Sequence, residues 1–563
     1  MIIGLIFVNA AYGAWQPPIG IPAPSFGVDT PTYNSATHCP NWPSTQNSKS
    51  HGDSYDCYYV DNSAACNDSN AGGYGTPNAP RCKFPQGTFS AGAYVDVRGG
   101  RTIPYTREYA DRVGFSGAGT AINYIVISGK NAPQKPIIDD PVHIGLDGTT
   151  SYLILENFET RRHVEIRPVS NGSNQTYISI RNNKMQGSGQ FKSGEEFAVG
   201  LDDPNRYSVT ISNIVFYNNE SYDAGQWNSA NEDDTCSFYV KSNVEYVWVV
   251  DNIAARSGGD GVAGGHNANR TSHHYYIGRN TLYQHRENCI DIKEINNLIV
   301  SESVCHTLTS TNSSNGEGIV IHYGSDSVGP NEAWVLFNTV SNVVNGLQIN
   351  TTAGSGYVIG NLFYNIHHDD AGWSPTSAYS NGAGIRIYSL GTAYVLDNTF
   401  YDYDTGIQFP NPGSSDTYVA HGNVLSNRAA ANGYEIYAQT GTNRVTLDRN
   451  QFYYPSGTAK FGWGSSSQVP LGSITCSLCA EGNPQFVSPP SDYKLQAGSP
   501  AIDKSAEHSV YNTFFTTYGI DIRKDKRGVT RPQGSAWDIG AYEYGGSAAD
   551  TTPPGPPTGL RIR

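Results

Sequence analysis

Two lysines and a spread of carboxylates recur at strand-like positions in the middle of a chain that is otherwise poor in charge. Lys241 closes the stretch 236–241, and Lys293 closes 289–293 with Asp291 two residues before it. Acidic residues come just ahead of these stretches: Asp233 and Asp234 before the first, and Asp260 before an intervening one at 261–265. His322, Arg386 and Tyr388 occupy comparable places further along, with Glu317 beside them. Cations next to oxygen ligands suit β-elimination from a uronate polysaccharide. Ca²⁺ on Asp233, Asp234, Asp260 and Asp291 would neutralise the sugar carboxylate and acidify the neighbouring proton. A lysine of lowered pKa would then remove that proton. Lys293 is the first candidate base and Lys241 the second, with His322, Arg386, Tyr388 and Glu317 as substrate-binding candidates.

These residues need elements that bring them to one face. Apolar positions phase a set of short strands at 236–241, 261–265, 289–293, 318–322, 346–350, 384–388, 406–410 and 433–437. Period-two alternation then turns one column outward as Tyr239, Ala263, Asp291, Val320, Gln348, Arg386, Gln408 and Glu435. The next outward column holds Lys241, Gly265, Lys293, His322, Asn350, Tyr388, Pro410 and Tyr437. Stacked at about 4.8 Å per coil, these columns gather the ionisable groups into one patch.

The stacking itself is read from a recurring phrase. A β-branched or aromatic strand ends in asparagine at Asn157, Asn182, Asn213, Asn252, Asn280, Asn338, Asn361, Asn398, Asn423 and Asn450, with Ser303 at a missing step. Successive positions lie roughly 23 to 39 residues apart, the period of a solenoid coil with loops of variable length. An asparagine tolerates left-handed geometry at a tight turn, and stacked amides hydrogen-bond along the axis. Each coil cannot bury its inner face alone, so the coils share one continuous core.

Composition agrees. The 563 residues exceed one compact core, hydrophobic residues are 38% and charged residues 15%, and 61 glycines and 38 tyrosines suit short strands between turns. A net charge of −14 argues against nucleic acid as a partner, because phosphate binding needs a concentrated basic surface. A local cationic cluster still leaves an acidic polysaccharide open as substrate. Residues 1–14 read as an export signal, an apolar run followed by small residues, and no later segment is apolar enough to span a membrane. Cys39, Cys57, Cys66 and Cys82 suit two disulfides of open connectivity, and Cys476 and Cys479 a local one. Cys236, Cys289 and Cys305 read as small core residues, or as one pair plus a spare thiol. A secreted or cell-surface protein follows.

The repeated phrase over about 120–455 resembles the pectin-lyase-like family, which implies an all-β, right-handed parallel β-helix solenoid. Residues 15–119 then form an N-terminal cap and first coil, 456–546 a C-terminal capping region, and 547–563 a Pro-rich linker or tail. The phrases at 483–486, 492–495, 498–503 and 538–544 are similar to the terminal region of bacterial surface β-helix proteins. Gly259-Asp260-Gly261 and the stretch 287–293 resemble the calcium-binding and lysine-bearing elements of β-helix polysaccharide lyases, with glycine at the first acidic position and the lysine two residues further on. Two other readings stay open. A non-catalytic adhesin or self-assembling surface protein would use the solenoid as a rod, anchored at the cell surface. A glycoside hydrolase of polygalacturonase type would use clustered carboxylates instead of a lysine.

Overall fold

The computed structural model describes residues 14–545 except 43–52, 69–74, 86, 107–111, 190–194, 204, 229–232, 266–271, 309–315, 324–330, 352–353, 370–372, 377–380, 389, 411 and 413–414. The export signal, Ala14 apart, and the Pro-rich tail lie outside the described residues.

The architecture is the expected parallel β-helix. Three stacks of short strands run along one axis. Sheet 1 extends from Cys57–Val60 to Val445–Asp448, sheet 2 from Gly87–Phe89 to Phe461–Trp463, and sheet 3 from Ile137–Ile138 to Ala480–Glu481. Each coil supplies one strand to each sheet in turn, so every neighbour is parallel and one coil away in sequence. In sheet 1 the inward column runs Val249, Ile277, Val300, Val335, Val358 and Val395. In sheet 2 it runs Val262, Ile290, Ile319, Leu347, Ile385, Ile407 and Ile436. All of these are buried. Branched side chains of one type stack without voids on a pleated surface, which is why a repeated phrase specifies this core.

The asparagine series forms a buried ladder, at positions partly different from those expected. The rungs are Asn183, Asn219, Asn252, Asn280, Ser303, Asn338, Asn361, Asn398, Asn423 and Asn450. Each Oδ1 accepts the backbone N–H of the preceding rung, as Asn398 does from Asn361 at 2.8 Å. Each Nδ2 donates to a main-chain carbonyl, as Asn361 does to Val335 at 2.8 Å. The left-handed residue is not the rung but the one before it: Asn182 (φ 57°), Asn218 (51°), Asp251 (58°), Arg279 (54°), Phe337 (53°) and Asp397 (53°). Asn157 and Asn182 hold that preceding place, and Asn213 lies within a strand. Their side chains are therefore not part of the ladder.

Two outer faces are covered by the chain itself. Residues 15–32 run along sheet 1, where Trp248 Nε1 donates to Pro22 O (2.7 Å) and Arg181 to Gly27 O (2.7 Å). The helix Val510–Tyr518 packs Tyr511 and Phe514 onto the same sheet beside Trp334 and Leu396. Phe486, Tyr493 and Ile539 cover later strands of sheet 3 at Leu362 and Val424. Residues 484–545 thus lie along the flank instead of across the end, where Ser466–Val469 turns back antiparallel on Phe461–Trp463. The disulfides are Cys39–Cys57, Cys66–Cys82, Cys289–Cys305 and Cys476–Cys479, leaving Cys236 as a buried thiol. No helix among the described residues is long and apolar enough to cross a membrane.

Candidate active site

With sheet 1 and the later strands of sheet 3 so covered, the outer face of sheet 2 carries a cluster of ionisable groups. Its register aligns Tyr239, Ala263, Asp291 and Val320 in one column, and Lys293 with His322 in the next. Ala263 sits between two large groups and fills little of its share of the column. The gap is the floor of a cavity of about 380 Å³, walled by Leu201, Asp202, Asp234, Cys236, Tyr239, Lys241, Asp260, Glu287 and Lys293.

The turn ahead of each strand delivers the acids. Gly258 lets one turn lie against the loop before it, since a Cβ there would come within 1.8 Å of Asp233 Oδ1. That close approach carries Asp260 inward. Its Oδ1 accepts the Asn288 backbone N–H (3.0 Å) and the Asn288 Nδ2 (3.1 Å). Asp260, Glu287 and Asp291 each bring a carboxylate oxygen into a group whose members all lie within 4.8 Å of one another. Burial, then the charges of Glu287 and Asp291, pushes the Asp260 carboxyl well above the usual carboxylate range. Burial also opposes the charge on Asp291, but a hydrogen bond with His322 Nε2 (2.8 Å) and the ammonium of Lys293 at 2.5 Å outweigh it. Asp291 is therefore held ionised, its pKa below the usual range.

The lysines are corrected. A lowered pKa was expected, yet both are raised. Burial works against the ammonium of Lys293, and Asp291 overcomes it, with Asp260 and Glu287 adding to the effect. Lys241 behaves alike: burial opposes its charge, and Glu165, Glu196 and Asp202 outweigh it. Its Nζ lies 3.0 Å from both Glu165 Oε1 and Asp202 Oδ1. As the chain stands, neither amine is a free base.

Asp233 and Asp234 also separate from the cluster. The Asp233 carboxylate accepts the backbone N–H groups of Gln226 (2.6 Å) and Thr235 (3.1 Å), closing its own loop, whereas Asp234 stands exposed on the cavity wall. Arg386 is three strand steps beyond Asp291, about 14 Å along the axis, and is 1% exposed. Its guanidinium donates to Glu317 (2.8 Å) and Gln348 (3.1 Å) and lies over the Tyr388 ring at 5.4 Å. Arg386 and Glu317 thus answer each other inside the wall and do not line the cavity. Further along Gln408 faces Tyr437, so that outward column runs through Tyr437 and not through Glu435.

Glu287 is the residue that sequence reasoning left out of the metal set. It lies four positions before Asp291, in a turn equivalent to the one that supplies Asp260, and that parallel was the available signal. A second group, His143, His163 and Glu165, sits further down sheet 2, with the two Nε2 atoms 2.6 Å apart. Burial, then His163, pulls His143 down to about 4. Arg112 donates to His143 Nδ1 (3.0 Å), and Lys241 and Arg167 flank Glu165. Three cations around these ligands make it a poor metal centre.

No family model matches the sequence, and no curated protein matches it. Among solved structures the chain is similar to the pectate lyase Pel9A, at 13% identity over 87% of this chain and 96% of that one, with a TM-score of 0.30. It is also similar to XylC in complex with xylose (9%, 86% and 98%, TM-score 0.40). A third similarity is to a PL6 family polysaccharide lyase from Pseudopedobacter saltans (12%, 80% and 95%, TM-score 0.31). At these identities the likeness bears on neither substrate nor reaction.

Proposed function

We infer that the protein is an extracellular enzyme that breaks an acidic, uronate-containing polysaccharide by β-elimination in the sheet 2 cleft. The observation that carries this is the convergence of three carboxylates with the Lys293 ammonium and His322 on one open face. Four disulfides are in keeping with an oxidising compartment.

The donor set fits a calcium ion. Three hard oxygen ligands already converge within 4.8 Å of one another, the donor type that calcium takes. Asp260, Glu287 and Asp291 would hold it, with Asp234 at the rim. Bound there, Ca²⁺ would neutralise the uronate carboxylate and take up the negative charge that now keeps Lys293 protonated. Lys293, once neutral, is the group placed to remove the proton beside the sugar carboxylate. His322 keeps Asp291 oriented, and Lys241, answered by Glu165 and Asp202, closes the other end of the cavity.

A hydrolytic reading rests on one observation. Burial raises Asp260 while His322 and Lys293 hold Asp291 low, the split expected of a general acid and its carboxylate partner. Incubation with polygalacturonate, alginate and glucuronan, with Ca²⁺ or with chelator, separates the two. Unsaturated ends that absorb in the ultraviolet and vanish with chelator or in Lys293→Ala are the expected result. New reducing ends without unsaturation would assign hydrolysis. Neither product from any acidic polymer would leave a binding or structural role.

A further inference from the structure

A second cavity, of about 620 Å³, opens on the side of sheet 3, across the loop that Asp233 closes. Its chemistry differs from that of the cleft. The wall is built on Trp227, whose place is set from behind. The Arg256 guanidinium lies between the Tyr222 ring (5.7 Å) and the Trp227 ring (5.5 Å). Arg256 is itself held by Asp223 at 2.6 Å, and Gln186 Nε2 donates to the other oxygen of that carboxylate at 2.9 Å. The charges of Arg256 and Asp223 answer each other, and the carboxylates of Glu195, behind Ser188, and Asp233, behind Gln226, leave the surroundings net acidic. Its space is lined by the Trp227 indole, the amides of Gln186, Gln226 and Asn228, Ser188 and the paired Asp223 carboxylate. The indole N–H of Trp227 and the side-chain amides of Gln226 and Asn228 have no hydrogen-bond partner among the described residues. No side chain intrudes at Gly189, where a Cβ would lie 3.4 Å from Trp227 Nε1.

We propose that this pocket is a binding site for uncharged pyranose units, separate from the cleft. Three observations converge on that ligand class. The volume suits one or two sugar rings, within the range of small-molecule sites. Planar amides supply paired donors and acceptors for vicinal hydroxyls, and an indole supplies an apolar surface with a polar edge. An anionic sugar has no free cation to meet here, because Arg256 is engaged. The site would grip a neutral branch or neighbouring chain while an acidic stretch occupies sheet 2.

The test uses the full chain with chelator present and a panel of uncharged tetrasaccharides: xylotetraose, cellotetraose, mannotetraose and galactotetraose. Saturation-transfer NMR and titration calorimetry report binding. At least one tetrasaccharide binds saturably, Trp227→Ala weakens it tenfold or more, and Asn228→Ala, at an exposed position that carries no fold contact, weakens it threefold or more. Glu287→Gln leaves this binding unchanged, and Trp227→Ala leaves the products from acidic polymers unchanged. The proposal is overturned if none of the four binds. It is equally overturned if binding survives both pocket variants, or if it is lost in Glu287→Gln, which would place the sugar in the cleft. These outcomes are independent of whether the cleft eliminates, hydrolyses or does neither.

Discussion

The charge logic of the cleft is tested most directly by a double-mutant cycle on Asp291 and Lys293. Their side chains are 5% and 16% exposed and meet at 2.5 Å. At an effective dielectric of about 20, two unit charges at that distance attract by about 6–7 kcal/mol. Desolvation of each ion offsets several kcal/mol of this. Removing one partner of a buried pair nonetheless costs ~3–5 kcal/mol, because the other is left uncompensated. Asp291→Asn leaves the Lys293 ammonium without its direct partner and should destabilise the cleft by about 3 kcal/mol. Lys293→Met leaves Asp291 with His322 still bonded to it, so a smaller cost of about 2 kcal/mol is expected. The double variant buries neither charge and should cost no more than about 2 kcal/mol, a coupling of about 3 kcal/mol or more. Hydrogen exchange at the amides of Ile290–Lys293 reads the local opening energy without assuming that the whole solenoid unfolds as one unit. The coupling should also follow pH with a definite sign. Asp291 is depressed, so its share is present above the unfolded value near 3.9 and is lost as pH falls through the folded value. Lys293 is raised, so its share is present below about 10.4 and is lost as pH rises through the folded value. Costs that add within about 0.5 kcal/mol at neutral pH would mean a solvated charge ladder, the behaviour of exposed pairs, and would refute the reasoning.

Other consequences are independent of the cleft. Asn361→Ala leaves the Asn338 backbone N–H and the Val335 carbonyl unanswered inside the turn, at roughly 1–3 kcal/mol each, so the urea midpoint should fall by the equivalent of ~2–5 kcal/mol. A shift below about 0.5 kcal/mol would show the ladder to be ornamental to stability. Acid should weaken the fold above the carboxylate range. Burial, then His163, pulls His143 down to about 4, and burial pulls His285 down to about 3. The unfolded chain binds protons near 6.5 that these folded residues refuse, so their contribution is complete above about 6.5 and declines as pH falls toward 4. Each supplies a slope near 1.4 kcal/mol per pH unit in that window, and His285→Gln should flatten the measured pH dependence by about that much. Thiol titration of the unreduced protein should find none reactive in the native state and one after unfolding, because Cys236 alone is unpaired and is buried beside Asp260. Three or more after unfolding would contradict the four disulfides.

How far the fold and the site could be read from sequence depends on which physical rule governs each residue. Period-two alternation is a rule about which side of a sheet a side chain takes, and it holds wherever the register holds. It aligned Tyr239, Ala263 and Asp291, and set Lys293 beside His322. It says nothing about what lies above the sheet. Arg386 occupies the outward column as read, yet it is buried, because Glu317, Gln348 and Tyr388 close around it. The ladder had the opposite ambiguity. Where one asparagine follows another, as at Asn182 and Asn183, the first takes the left-handed turn and the second takes the rung, and residue type alone does not divide those roles.

The acids of the cleft were hardest to read because turns, unlike strands, have no fixed period. Asp233, Asp234, Asp260 and Glu287 all precede sheet 2 strands, and all four are compatible with metal ligation by type. What separates them is backbone bonding. Asp233 is consumed by two N–H groups of its own loop, and close packing at Gly258 carries Asp260 inward until a neighbouring asparagine answers it. Glu287 joins that oxygen cluster through the turn one coil further on. The same division explains why a single lysine column holds one amine ahead of a carboxylate trio and another, Lys241, that reaches back to Glu165 and Asp202. A cation placed among Asp260, Glu287 and Asp291 acts on Lys293 and leaves the carboxylate partners of Lys241 in place. Only the first lysine can therefore change its protonation with metal, and an amine pKa that responds to Ca²⁺ in the wild type but not in Lys293→Met is the observation that would single it out.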